Sequence, residues 1–83
     1  MELTHFQVLR SHSDKQRFLI ILCNQDTDNF DAVPQPIRAL GPWMAGARLP
    51  VIRLRSAYRA ALARDGFCLV VHAGASFDPS AVN

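Results

Sequence analysis

Lysine is nearly missing from this sequence, cysteine is scarce, and no apolar stretch is long. The two cysteines, Cys23 and Cys68, each stand alone inside an apolar run. Two are too few for a disulfide framework, and without CxxC spacing they offer neither a zinc ribbon nor a dithiol redox motif. Both are read as reduced, buried thiols. The longest unbroken apolar run, Phe18 to Cys23, falls far short of the roughly 20 residues that span a bilayer. No basic-then-apolar leader follows Met1. These features predict a cytoplasmic protein that does not engage a membrane.

Lys15 is the only lysine; the other eight of the nine basic residues are arginines. Arginine suits planar, bidentate contacts. An Ala- and Arg-rich composition is also what a GC-rich genome produces. A net charge of +2 is too small to imply a nucleic-acid partner by itself.

What is present fits one small globular unit. With 83 residues, the chain has room for one domain and not two. A chain this short buries only roughly 60–65% of the surface its unfolded form exposes, so pairing with a second copy is an easy way to bury more. An apolar fraction of 49% with 19% charged residues argues against global disorder.

Leu3 to Arg10 alternates loosely and predicts a half-buried strand at a sheet edge. After the polar turn Ser11 to Lys15, the run from Gln16 to Cys23 suits a strand covered on both faces, paired with the first as a hairpin. Asn24 to Phe30 reads as a polar, acidic loop. Asp31 is placed to cap a short helix from about Ala32 to Leu40, in which Pro34 and Pro36 leave only the first turn regular. Trp43 to Leu49 has no readable pattern, because Gly46 interrupts it. Pro50 to Arg64 is the clearest helix, with Pro50 at its first position, Gly66 as a left-handed C-cap, and Val51, Leu54, Tyr58, Ala61 and Leu62 on one face. The rival reading makes Val51 to Arg55 a strand and Ser56 the cap of a shorter helix. Phe67 to His72 is a second buried strand. The expected fold class is α+β, a small single domain spanning 1–83. It has about three strands with one or two helices packed on one face, an ordered core over 1–73 and a frayed tail over 74–83.

No motif supplies chemistry outright. Asp26, Asp28 and Asp31 follow a buried strand, where carboxylates can hold a cation or act in acid–base steps. Their spacing matches neither a calcium loop nor an Asp-x-Asp phosphatase signature, so a solvated loop with a helix cap is favoured. Cys23 and His72 form a nucleophile–base pair only if their strands run parallel; antiparallel strands bring Cys23 toward Cys68 instead. His5 and His12 lack partners at zinc spacing. No cofactor and no metal are expected, and the balance leans away from an enzyme. Trp43, beside Pro42 and Met44, reads as a plug at the core edge rather than as a hot spot.

The main helix carries the most informative pattern. Ile52, Ser56, Ala60 and Ala63 form a small, apolar outward strip, flanked by Arg53, Arg55, Arg59 and Arg64. Small residues let another backbone approach, and flanking arginines make a polar rim. The leading expectation is therefore a non-catalytic protein-binding or regulatory module whose partner is another protein or a second copy of itself. A weaker alternative is a nucleic-acid binder using Arg48, Arg53, Arg55, Arg59 and Arg64. A third is a small enzyme using Asp26 and Asp28, or Cys23 and His72.

Overall fold

The run Arg17–Cys23 organises the fold. A computed structural model describes residues 4–14, 16–24, 30–72 and 79. In it, this run is strand β2, with Phe18, Leu19, Ile20 and Ile21 all buried. Successive side chains of a strand point to opposite faces, so four consecutive buried residues require cover on both. Strand β1 (His5–Ser11) pairs with β2 as an antiparallel hairpin, with Val8 opposite Ile20 and Leu9 opposite Leu19. Strand β3 (Trp43–Pro50) adds antiparallel to the outer edge of β1. Strand β4 (Phe67–Val71) adds antiparallel to β2, with Cys68 opposite Ile20. The sheet order is β3-β1-β2-β4.

Between β3 and β4 the chain crosses one face of the sheet. It passes through a 3-10 turn at Val51–Arg53, a bridge residue at Leu54, and helix α2 (Ser56–Asp65). Leu54 and Leu62 come down onto Phe6 and Ile20, with Tyr58, Leu22, Leu49 and Val70 around them. Gly66 ends α2 at φ 83°, and its N–H donates to the Leu62 carbonyl at 2.8 Å. The opposite face is covered by the segment between β2 and β3. A 3-10 turn at Phe30–Ala32 and the single-turn helix α1 (Gln35–Arg38) set Val33, Phe30 and Ile37 against Leu9, Leu19 and Ile21.

The expected three-strand sheet with helices on one face is therefore incorrect. Among the described residues the sheet has four strands, and it is covered from both sides. The strand that the pattern hid is β3. Opposite Val8 it carries two residues, Gly46 and Ala47, because Gln7 pairs with Arg48 while Leu9 pairs with Ala45. Such a bulge shifts the inward–outward alternation by one residue. A Cβ on Gly46 would lie 2.8 Å from the Val8 carbonyl oxygen, so the glycine is a condition of close backbone approach.

Other expectations shift with it. Strand β1 is central rather than an edge, and β4 is a half-exposed edge strand rather than a buried one. The helix expected over Pro50 to Arg64 begins only at Ser56. Leu54 at ψ 141° and Arg55 at ψ 144° are extended, which is nearer the rival reading. Ser56, however, is the first helical residue and not its cap. The helix expected from Ala32 to Leu40 shrinks to the four residues of α1, which start after Pro34, and Asp31 lies in the 3-10 turn before it. Of the tail, residues 74–78 and 80–83 lie outside the described residues. Pro79 is buried, and its carbonyl accepts the Arg55 N–H at 3.0 Å.

Candidate functional site

Between the sheet and the Phe30–Arg38 segment lies a cavity of about 480 Å³, within the size range of small-molecule sites. Its sheet wall is built by alternation. Gln7 and Leu9 of β1, Ile21 of β2, and Trp43, Ala45 and Arg48 of β3 line it. The facing wall is Phe30, Asp31 and Arg38, with Pro42 at the side.

Local structure fixes each polar member. Gln7 is buried, and its Nε2 donates to the Gly46 carbonyl at 2.9 Å. Arg38 closes α1; its Nη2 donates to Gln35 Oε1 at 2.7 Å, and its Nη1 lies 3.9 Å from Asp31 Oδ1. The Asp31 side chain is fully exposed, so that ion pair is weak. Arg48 Nη1 donates to the Asn24 carbonyl at 3.5 Å. Trp43 begins β3 directly after Gly41-Pro42. A Cβ on Gly41 would fall 2.7 Å from the Trp43 backbone N and from its Cδ1, so the indole folds back over a position that only glycine leaves open. The preceding connection is tied to the end of β1. Buried Ser11 donates from Oγ to the Leu40 carbonyl at 3.0 Å, and the His12 N–H donates to the Pro42 carbonyl at 2.8 Å.

Two lining residues each carry a buried donor without a hydrogen-bond partner, Trp43 Nε1 and Arg38 Nε, and neither atom is open to solvent. An unsatisfied buried donor forfeits about 1–3 kcal/mol.

The other candidate constellations separate. Strands β2 and β4 are antiparallel, and the His72 N–H donates to the Gln16 carbonyl at 2.7 Å. His72 therefore sits at the opposite end of the sheet from Cys23, roughly 20 Å away at strand rise. A Cys23–His72 pair is excluded. Cys68 is opposite Ile20, three residues short of Cys23, and points to the other face. Neither cysteine is in a disulfide; Cys23 is buried and Cys68 half-buried. Burial raises the Cys68 thiol above its ordinary pKa, with Asp65 adding to the effect and Arg64 opposing it. Asp26 and Asp28 lie outside the described residues. His5 Nδ1 meets Thr4 Oγ1 at 2.8 Å. Among the described residues, no group of three His, Cys, Asp or Glu is placed to hold a metal ion.

The strip expected on the main helix is split between two elements. Ser56, Arg59, Ala60, Ala63 and Arg64 lie on α2, while Ile52 and Arg53 belong to the 3-10 turn and Arg55 precedes the helix. All eight are exposed, Ile52 at 77%. Arg64 pairs with its neighbour Asp65 at 3.0 Å. Arg48 lines the cavity on the face of the sheet opposite α2, so the five arginines of the nucleic-acid alternative do not share one surface.

Sequence reasoning had singled out Trp43, Asp31 and Arg48, each for another reason, and had missed Gln7 and Arg38. Gln7 carried a signal. It shares the inward face of β1 with Leu9, and a polar residue at a core position usually has a structural or binding task. Among the described residues, no helix is long and apolar enough to cross a membrane. Compared with protein-family models, with curated proteins and with solved structures, the chain matches none.

Proposed function

We propose that this domain is a non-catalytic binding module and that it acts through the cavity between the sheet and the Phe30–Arg38 segment. The observation that carries the reading is a cavity of about 480 Å³ whose lining sets Gln7, Asp31, Arg38 and Arg48 around Leu9, Ile21, Phe30 and Trp43. The lining joins an apolar floor to a few convergent polar groups, the usual make-up of a small-molecule site. It brings together no nucleophile and base.

The test is a screen of mixed small molecules against the isotopically labelled protein, read by backbone and side-chain amide NMR. Shifts should cluster on Gln7, Trp43, Ala45 and Arg38. Shifts gathered at Cys23 or His72 instead, or none from any compound, would overturn the reading.

A second reading, association with another protein or a second copy, is favoured by one observation. Ile52 stands 77% exposed in the turn before α2, and Ser56, Ala60 and Ala63 of α2 are exposed as well. Light scattering on the wild type and on Ala60→Glu tests it: a dimer that the substitution breaks supports it, and a monomer at high concentration ends it.

A further inference from the structure

We propose that strand β4 is an interaction edge and that its occupant is the β4 strand of a second copy, paired antiparallel about a two-fold axis at Leu69, so that the two sheets run on as one. The inference goes beyond the cavity and stands independently of it, and it uses a different surface from the exposed side of α2.

The direction of the backbone groups follows from one hydrogen bond. The His72 N–H donates to the Gln16 carbonyl at 2.7 Å, and the neighbouring pair is Arg17 opposite Val71. Opposed residues of an antiparallel ladder alternate between bonded and non-bonded pairs. Val70 and Cys68 therefore bond to β2 as His72 does, while Phe67, Leu69 and Val71 turn their N–H and C=O groups away from β2. Among the described residues, no strand pairs with this outer edge.

The two edges of the sheet differ. The outer edge of β3 carries features that discourage strand addition: the bulge at Gly46, the charged Arg48, and Pro50, which has no N–H. Strand β4 has no charge, no proline and no bulge.

The side chains say what fits. Phe67, Leu69 and Val71 lie opposite Ile21, Leu19 and Arg17 and share one face of the sheet. Phe67 packs against the core there, whereas Leu69 is 36% and Val71 71% exposed. Such an edge takes an apolar, uncharged strand, since a charged one finds no counter-charge within β4. Within this chain the edge that meets that description is β4 itself. Adding β4 to the β3 edge of another copy would also leave an edge open at each end and propagate instead of closing. Antiparallel pairing about Leu69 sets Leu69 opposite Leu69 of the second copy, and Val71 opposite its Phe67. Each of these pairs exchanges both N–H···O bonds. Exposed Val71 gains an aromatic neighbour, and no like charges meet along the strand.

Leu69→Lys places two lysines directly opposite each other across the axis. It should weaken dimerisation at least about tenfold, read by light scattering over a dilution series. Val71 contributes little to its own core, so Val71→Lys is the second variant and should weaken the dimer as well. Both variants should keep a dispersed amide spectrum, and Ala60→Glu on α2 should leave the dimer unchanged. Cross-linking reads the register. Opposed bonded residues have Cα atoms about 5.5 Å apart, within disulfide reach. Leu69→Cys in a Cys68→Ser background should therefore give a covalent dimer on oxidation with copper phenanthroline. The Cys68 residues of two wild-type copies stand roughly 8 Å apart at strand spacings, too far to bridge. A monomer at high concentration would overturn the proposal. So would a dimer that Ala60→Glu breaks and the lysine variants leave intact, or one that links through Cys68 and not through position 69. The cavity is tested separately, by the mixed screen, so either reading can fail without the other.

Discussion

The Gln7 side chain donates from Nε2 to the Gly46 carbonyl at 2.9 Å, so a buried polar residue of the central strand β1 satisfies the backbone of the bulge in β3. The carbonyl of a bulged residue loses its regular ladder partner; Gln7 supplies one. In the same place Gly46 approaches the Val8 carbonyl too closely for any side chain. The bulge then resumes the strand with Arg48 opposite Gln7. Arg48 is thereby set on the cavity side.

Gly46→Ala should destabilise the domain by about 1–3 kcal/mol, the usual range for overpacking. The clash is with backbone, which has no rotamer in which to escape. Denaturant unfolding checks this. A change under about 0.5 kcal/mol would show that the bulge relaxes freely.

Gln7→Leu should cost about 1–2 kcal/mol, because it leaves the Gly46 carbonyl without its side-chain donor. It should also shift the amide resonances of Gly46 and Arg48. Stability equal to wild type with an unperturbed β3 would mean that the bulge does not depend on this bond.

Leu62→Ala should destabilise by about 2–4 kcal/mol, since a buried Leu leaves a cavity among Phe6, Ile20 and Leu54. In a chain this small that loss approaches the whole folding margin. A loss below about 1 kcal/mol would place Leu62 outside the core.

Gly66→Ala should cost about 1 kcal/mol for a different reason from Gly46→Ala. No atom lies within 4 Å of the added Cβ, so the penalty is that of a left-handed backbone alone. Gly66→Asn should then be milder, since asparagine tolerates that conformation. Equal losses for both would point to packing instead.

The two thiols should label at different rates. Cys23 is buried and should react only on unfolding, whereas half-buried Cys68 should react in the native state. Because burial raises the Cys68 pKa, less thiolate is present at a given pH than for a free cysteine. Its rate should therefore keep rising to higher pH before levelling. A rate that levels at lower pH than that of a free thiol would contradict this. Cys68→Ser should remove the fast phase and leave the slow one.

The sequence by itself determined the local features that depend on neighbouring residues. The run Phe18 to Ile21 announced a strand covered on both faces, and its hairpin with β1 followed from the short polar link. Gly66 after Asp65 marked the left-handed end of α2, and Val51, Leu54, Tyr58 and Leu62 marked the side of that region turned to the core. The tertiary structure decided what depends on distant pairing. Whether β1 is an edge or a centre is a question of whether another strand joins it, and the joining strand, β3, breaks its own alternation at Gly46 because its bulge is defined against Val8. The second face of β2 needed cover, but nothing local says that the proline-limited segment around Val33 and Ile37 provides it. The cavity exists only where that segment stands off the sheet. Gln7 lies far from Arg38 and Trp43 in sequence, and an unsatisfied donor becomes visible only once the fold has taken its water away.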